Sequence, residues 1–275
     1  MISVLILTRN EEQDLPECLD SVAWSDDVHV FDSESTDRTV EIARGRGATV
    51  TMRRFDGYAS QRNAAMQLPF KHQWVLVLDA DERPTPALAT EMQLAVAAAP
   101  ETVSGFRMRR RDYLWGMWLK HAQMTPFYVR LLRVGHVHYT RDINEIVEVA
   151  GDIRELHAPL DHFAFSKGLS QWVAKHNDYS SREARLLASG DATKKASLGQ
   201  ALFAPNFHER RVAQKAIFYR LPARPLIKWV YMMFIRGAIL DGHAGVMYAT
   251  LHGFYEYLIE VKCREIRRQR NGQSF

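Results

Sequence analysis

The sequence predicts an α/β fold with a mixed, mainly parallel central sheet, followed by a helical, basic C-terminal extension. Three observations carry that expectation. Short apolar runs alternate with helix-like segments through the first 82 residues, polar and acidic residues gather directly after those runs, and positive charge accumulates late in the chain. Residues 1–100 hold 9 Lys/Arg against 16 Asp/Glu, and residues 201–275 hold 12 against 5. With 47% hydrophobic and 25% charged residues among 275, wholesale disorder is excluded. The longest stretch free of Asp, Glu, Lys and Arg, Gly242 to Tyr255, has 14 residues. An ordinary bilayer crossing needs about 20 apolar residues, so none is expected. The start MISVLILTRNEE lacks the basic n-region of a signal peptide. Two cysteines, Cys18 and Cys263, make no disulfide framework, which points to a reducing, intracellular compartment.

Ser3 to Leu7 reads as the first strand, and Glu11 to Val22 as a helix with Leu15, Leu19 and Val22 on one face. Val28 to Phe31 is a second strand, a helix begins at Thr39 to Ala43, and Ala48 to Met52 is a third strand. Gly45-Arg46-Gly47 is the helix stop between them. Gly57 to Leu68 is helix-like, and Trp74 to Leu78 is a nearly continuous apolar strand. Such strands, buried on both faces, belong to a parallel sheet covered by helices.

The polar segments Thr8-Arg9-Asn10-Glu11, Asp32 and Asp79-Ala80-Asp81-Glu82 each follow one of these strands. In open α/β sheets the ligand crevice lies at the carboxyl ends of strands, so the three segments can meet there. Neither GxGxxG nor GxxxxGK[ST] occurs, which leaves a nicotinamide or P-loop site without local support. Asp79-Ala80-Asp81 offers carboxylate oxygens to a hard cation such as Mg²⁺ or Mn²⁺, which can bridge to phosphate. The competing reading is that the triplet caps a helix near Thr85-Pro86.

Through Ser3–Glu12, Asp32–Thr39, Gln61–Asn63 and Trp74–Glu82, the sequence resembles the family 2 glycosyltransferases, inverting enzymes with a GT-A fold. Asp142–Glu145, the region of His162 and Gly237–Gly245 narrow the likeness to the lipopolysaccharide-core and cell-surface-glycan β-glucosyltransferase branch. The resemblance implies a UDP-sugar donor, UDP-glucose first. It implies that Thr8, Asn10, Glu11 and Asp32 line the nucleotide pocket, Asp32 accepting from the uracil N–H. Arg62 then meets a base carbonyl or the diphosphate, Asp79 approaches ribose or phosphate, and Asp81 is the stronger metal ligand beside Asp79. Glu82 either orients Asp81 or is an acid favoured near the start of the next helix. Asp37 reads instead as an organiser of the helix after Thr36.

On the acceptor side, the resemblance makes Glu145 the base that removes a proton from the attacking hydroxyl, with Asp142 its rival. Asn144 stands where the branch commonly has histidine. His162 is the preferred late histidine for the metal or diphosphate site, with His138 and His157 as alternatives. No structural zinc is expected. Arg107, Arg109, Arg110 and Arg111 lie beside Tyr113, Trp115 and Trp118, as a cationic, aromatic surface for a sugar or phosphorylated acceptor. A nucleic-acid groove is the reading of another class, but no base-reading signature supports it, and nucleic acid is not an expected partner.

The chain divides for description into a catalytic part, 1–165, and a helical acceptor- or membrane-proximal part, 166–275. Ser166 to Leu187 and residues 246–270 read as long helices. From Asn206 to Arg236 there are 7 Lys/Arg and 1 Asp/Glu among apolar residues. That pattern fits an interfacial element on an anionic membrane surface, with packing on the α/β domain or within a homodimer as the alternative. The expected setting is cytoplasmic and peripheral, on the inner face of the inner membrane. The expected acceptor is a lipopolysaccharide-core sugar or other membrane glycolipid, with a polyprenyl-diphosphate-linked oligosaccharide next.

Overall fold

The computed structural model describes residues 1–124, 126–140, 146–189, 197–203 and 207–273. The chain forms two compact units: Met1–Tyr113 with Gln123–Ser166, and Leu114–Ala122 with Lys167–Phe275. In chain order the elements begin with β1 (Ser3–Thr8), α1 (Leu15–Ser21), β2 (Val28–Asp32), α2 (Thr39–Gly45), β3 (Thr49–Met52), α3 (Tyr58–Ala65) and β4 (Trp74–Asp79). The alternation read from the apolar runs is therefore present. Helix α1 starts later than its periodicity suggests. Asn10 adopts a left-handed φ of 55°, and the Glu11 carbonyl accepts from both Asp14 and Leu15, so residues 11–14 turn before Pro16 enters the first helical turn.

The chain continues through β5 (Glu82–Pro84), α4 (Pro86–Ala97), β6 (Val103–Leu114), β7 (Met117–Trp118), β8 (Phe127–Arg133), β9 (Val137–Thr140), β10 (Ile146–Val149) and β11 (Asp152–His162). Among the described residues, one sheet runs β3-β2-β1-β4-β8-β6-β11-β5, with β7 paired to β6, and β9 and β10 form a separate antiparallel pair. The pairs β3/β2, β2/β1 and β1/β4 are parallel, and β8 enters antiparallel between β4 and β6. Val4, Leu5, Ile6 and the run Val75–Leu78 are fully buried, as strands covered on both faces require.

Strand β11 runs parallel to β6 but bulges: Leu156 faces Met108 and Leu160 faces Arg110, so three residues oppose Arg109 alone. The backbone N–H groups released there are satisfied elsewhere. His157 and Ala158 donate to the Glu91 carboxylate at 2.9 and 2.7 Å, and Pro159 has no N–H to lose. The Pro159 carbonyl accepts from Thr85, whose side chain also accepts from Leu88 as the N-cap of α4. Thr85, not the Asp79-Ala80-Asp81 triplet, caps that helix.

The second unit contains the hairpin tip between β6 and β7 and the helices α5 (Gly168–Ala188), α6 (Leu198–Phe203), α7 (Phe207–Phe218), α8 (Arg224–Val230) and α9 (Gly242–Arg270). A π-helical turn, Tyr231–Ile235, and a 3₁₀ turn, Ala238–Asp241, join the last two. The late basic stretch is thus several short pieces, broken where Ala223 and Gly237 take φ of 50° and 76°. Helices α5 and α9 share a core of Ala184, Leu187, Ile259 and Cys263. No helix among the described residues is long and apolar enough to cross a membrane.

Candidate active site

Parallel register brings the strand ends together. Thr8 faces Asp32 across β1 and β2, and Leu7 faces Asp79 across β1 and β4. The Thr8 hydroxyl donates to Asp32 Oδ2 at 2.7 Å, while Ser35 donates its hydroxyl to the same oxygen at 2.6 Å and its N–H to Oδ1 at 2.7 Å. Asp32 is fully buried, so these donors stabilise its charge. Asn10 N–H donates to Ser35 Oγ, its own Oδ1 accepts from Thr36 N–H, and Glu11 N–H donates to Thr39 Oγ1. The loops after β1 and β2 are therefore stitched to each other. Asp37 accepts from Thr39 N–H and Glu12 N–H, the helix-organising role its position predicts.

Helix α3 closes the other side through three consecutive residues. Gln61 donates to Ser33 Oγ at 3.0 Å. Asn63 clamps β9 by donating to the Tyr139 carbonyl at 2.8 Å and accepting from its N–H at 2.7 Å. Between them Arg62, 7% exposed, reaches Asp79 Oδ1 at 2.9 Å.

From Asp79 a continuous chain of charges crosses the sheet. Arg130 on β8 lies 2.7 Å from Asp79 Oδ2 and 2.6 Å from Glu82 Oε1, and Glu82 Oε2 accepts from the Asp79 N–H. Arg110 Nη1 stands 3.4 Å from Glu82 Oε1, and its Nε donates to Asp112 Oδ1 at 2.9 Å. Asp112 in turn pairs with His162 Nδ1 at 2.7 Å, and His162 Nε2 faces Asp81 Oδ2 at 3.3 Å. Topology sets this order: β11 lies between β6 and β5, placing His162 opposite Asp112 on one side and Glu82 on the other.

Burial pulls the His162 imidazole toward neutrality, but the Asp81 carboxylate and the Asp112 hydrogen bond outweigh it, and its pKa is raised to about 9. Burial would likewise raise the Asp112 carboxyl, yet His162 and Arg110 hold it below the ordinary range. Among the described residues no three His, Cys, Asp or Glu side chains form a ready-made cation cage. The donor chemistry fits a divalent ion completed by diphosphate oxygens once that ion displaces the His162 Nε2 proton now facing Asp81: the freed nitrogen and the Asp81 carboxylate, a quarter exposed, then serve as ligands. Asp79 has an arginine on each oxygen.

Glu145 and Asp142, the two candidates for the base, lie outside the described residues. The flanking strands β9 and β10 pair Thr140 with Ile146. His138 lies on β9 and His157 at the β11 bulge, while His162 is the late histidine that joins the charge chain. The basic cluster 107–111 is not the open cationic surface its sequence suggests. Arg107 pairs with Glu155, Arg111 grips Asp161 through two bonds of 2.6 and 2.9 Å, and Arg110 belongs to the buried chain. Arg130 and Asp112 are the site residues that sequence reading missed. For Arg130 the local signal is a charged residue beside Leu131 and Leu132 in a largely apolar strand, whereas Asp112 shows only as a lone acid after Arg109, Arg110 and Arg111.

The sequence model described as glycosyl transferase family 2 matches residues 3–147, more than half of the chain and the region that supplies most of this site. The chain belongs to glycosyl transferase family 2. It is an inverting, nucleotide-sugar-dependent glycosyltransferase with a GT-A fold. An uncharacterized glycosyltransferase of Rickettsia bellii (strain RML369-C) is 28% identical over 98% of this chain and 88% of its own length. The lipopolysaccharide core biosynthesis glycosyltransferase LpsC of Rhizobium meliloti (strain 1021) is 26% identical over 95% and 91%. Among solved structures, glucosyl-3-phosphoglycerate synthase from Mycobacterium tuberculosis, in complex with Mn²⁺, UDP-glucose and phosphoglyceric acid, aligns at 24% identity and a TM-score of 0.34. That alignment covers 40% of this chain and 44% of the other. This family 2 glycosyltransferase thus spans most of its curated relatives and under half of that structure.

Proposed function

We propose that this glycosyltransferase moves a hexose, glucose from UDP-glucose, onto a lipopolysaccharide-core sugar or another membrane glycolipid. The observation that carries the reading is the unbroken charge chain from Arg62 through Asp79, Arg130, Glu82, Arg110 and Asp112 to His162 and Asp81, which starts at the end of parallel strand β4 and continues over β8, β5, β6 and β11. Full-length similarity to LpsC supports the choice of acceptor class.

In this reading the uridine rests against the stitched loops that hold Thr8, Asn10, Glu11 and Asp32. Arg62, fixed by Asp79, presents its planar donors toward base or diphosphate. Asp81 and His162 are the residues that would hold Mg²⁺ or Mn²⁺, an ion that supplies charge neutralisation for the departing diphosphate when bound. Asp79 and Glu82 keep the flanking arginines in place, so their donors are already oriented before the sugar leaves. Glu145, with Asp142 as second candidate, takes the proton from the acceptor hydroxyl, whose attack from the opposite face inverts the anomeric carbon. A peripheral, cytoplasmic-face location suits a lipid-borne acceptor.

The test is mass-spectrometric detection of a transferred sugar after incubating UDP-sugars with core-oligosaccharide and lipid-linked acceptors. Transfer of glucose to a core acceptor, abolished in Glu145→Gln, is the expected result. Transfer of a different sugar, or to the lipid-linked oligosaccharide alone, overturns the donor or the acceptor assignment.

A further inference from the structure

We propose that the hairpin tip at Trp115 and the turns from Tyr231 to Leu240 form one apolar wedge that enters the interface of an anionic lipid bilayer. Its purpose rests on the membrane-borne acceptor proposed above, but the surface is defined independently of that reading.

The wedge is built from exposed apolar side chains in short succession. Ile235 is 75% exposed, Leu240 71% and Trp115 59%, with Phe234 and Ile239 also open to solvent. Buried Met232 and Met233 anchor the π-helical turn beneath them, so its apolar residues divide between core and surface. Clusters of large exposed apolar groups mark interaction surfaces, whereas single ones do not.

The two segments are tied to each other within the second unit. The Trp115 ring stacks on His243 at 5.2 Å. Asp241 accepts from the backbone N–H groups of His121 and Ala122 at 2.9 and 2.7 Å, and its other oxygen meets His121 Nδ1 at 2.6 Å. This is the role of the Leu-Asp-Gly sequence: its carboxylate holds the hairpin against the 3₁₀ turn. Trp115 itself has a φ of 51° in a two-residue turn with Gly116, where glycine or asparagine is the unstrained choice. A large, exposed tryptophan kept in a left-handed conformation points to a use for its ring, and interfacial lipid is where tryptophan is favoured.

Charge selects the occupant. Between Glu209 and Asp241 the sequence has seven Lys/Arg and no Asp or Glu. A two-fold dimer would place this surface against its own copy and bring like charges together. A bilayer containing anionic headgroups accepts the apolar tips together with the lysines and arginines of this acid-free stretch.

The experiment is sedimentation of the full-length protein with phosphatidylcholine vesicles that contain or lack phosphatidylglycerol. Binding is expected to the anionic vesicles and to fall at least about tenfold in Ile235→Glu/Leu240→Glu, the scale set by moving two large apolar groups out of lipid. Trp115→Gly relieves the left-handed strain, so it is expected to leave the melting temperature unchanged or higher while binding still weakens. Unchanged vesicle binding in folded Trp115→Gly and the double variant overturns the proposal. So does wild-type protein that ignores anionic vesicles, or variants that merely convert a dimer to a monomer in light scattering. Transfer to a delipidated, water-soluble acceptor is read in parallel. If no acceptor receives sugar while vesicle binding falls as expected, the acceptor reading fails and the wedge stands.

Discussion

Arg130 on β8 and Glu82 on β5 form a 2.6 Å ion pair between side chains 9% and 0% exposed, and the same guanidinium nitrogen also meets Asp79. Removing one partner of such a pair leaves an uncompensated buried charge, worth about 3–5 kcal/mol. Arg130→Met is therefore expected to destabilise the protein by about that amount in urea unfolding. Arg130→Met/Glu82→Gln is expected to recover part of it, because the orphaned charge is gone. A single variant within about 1 kcal/mol of wild type would show that Arg110 alone sustains Glu82.

Asp81 is different, because its carboxylate is a quarter exposed and faces His162 at 3.3 Å. Asp81→Ala is expected to lower turnover about 100- to 1,000-fold, in line with the loss of one preorganised electrostatic group, while the melting temperature changes little. Calorimetric titration with Mn²⁺ is expected to show weaker binding in the same variant. Retained turnover and retained Mn²⁺ affinity together would remove Asp81 from the site.

Gly245 has no room for a side chain. A Cβ there would stand 2.0 Å from the Ala238 carbonyl oxygen and 2.7 Å from Asp241 Cβ, both in the turn that carries the wedge. Gly245→Ala is expected to destabilise by about 1–3 kcal/mol, as overpacking does when backbone must shift. Differential scanning calorimetry reads this as a lowered melting temperature; an unchanged value would mean that the 3₁₀ turn yields freely.

His176 supplies a pH dependence of stability. Burial against Trp172, with Lys175 adding like charge, lowers its pKa from 6.5 to about 4, although the Trp172 carbonyl works in the other direction. The unfolded chain then binds a proton below about 6.5 that the folded protein refuses until about 4, so this group's contribution falls as pH drops through that window and is level above it. His176→Phe is expected to flatten the melting-temperature profile between those pH values. An identical profile in the variant would refute the assignment.

The early strands were legible because each is a continuous apolar run, and the polar residue ending it is adjacent in sequence. Thr8, Asp32 and Asp79 could be placed at one sheet end from period and parallel pairing alone. The late basic stretch was only partly legible. Its composition signals an apolar, cationic surface, but Ala223 and Gly237 in left-handed backbone divide it into turns that periodicity does not reveal.

By itself, then, the sequence determined which early segments become the first four strands, which residues terminate them, and which family they resemble. These are properties of local side-chain pattern. Only the tertiary structure decided that Arg130, Arg110 and Asp112 complete the charge chain, and that a hairpin at 114–122 belongs with Asp241, about 120 residues later. Those choices depend on strand order and register, which arise from long-range pairing and from the need to neutralise each buried charge, and no short window of sequence encodes either.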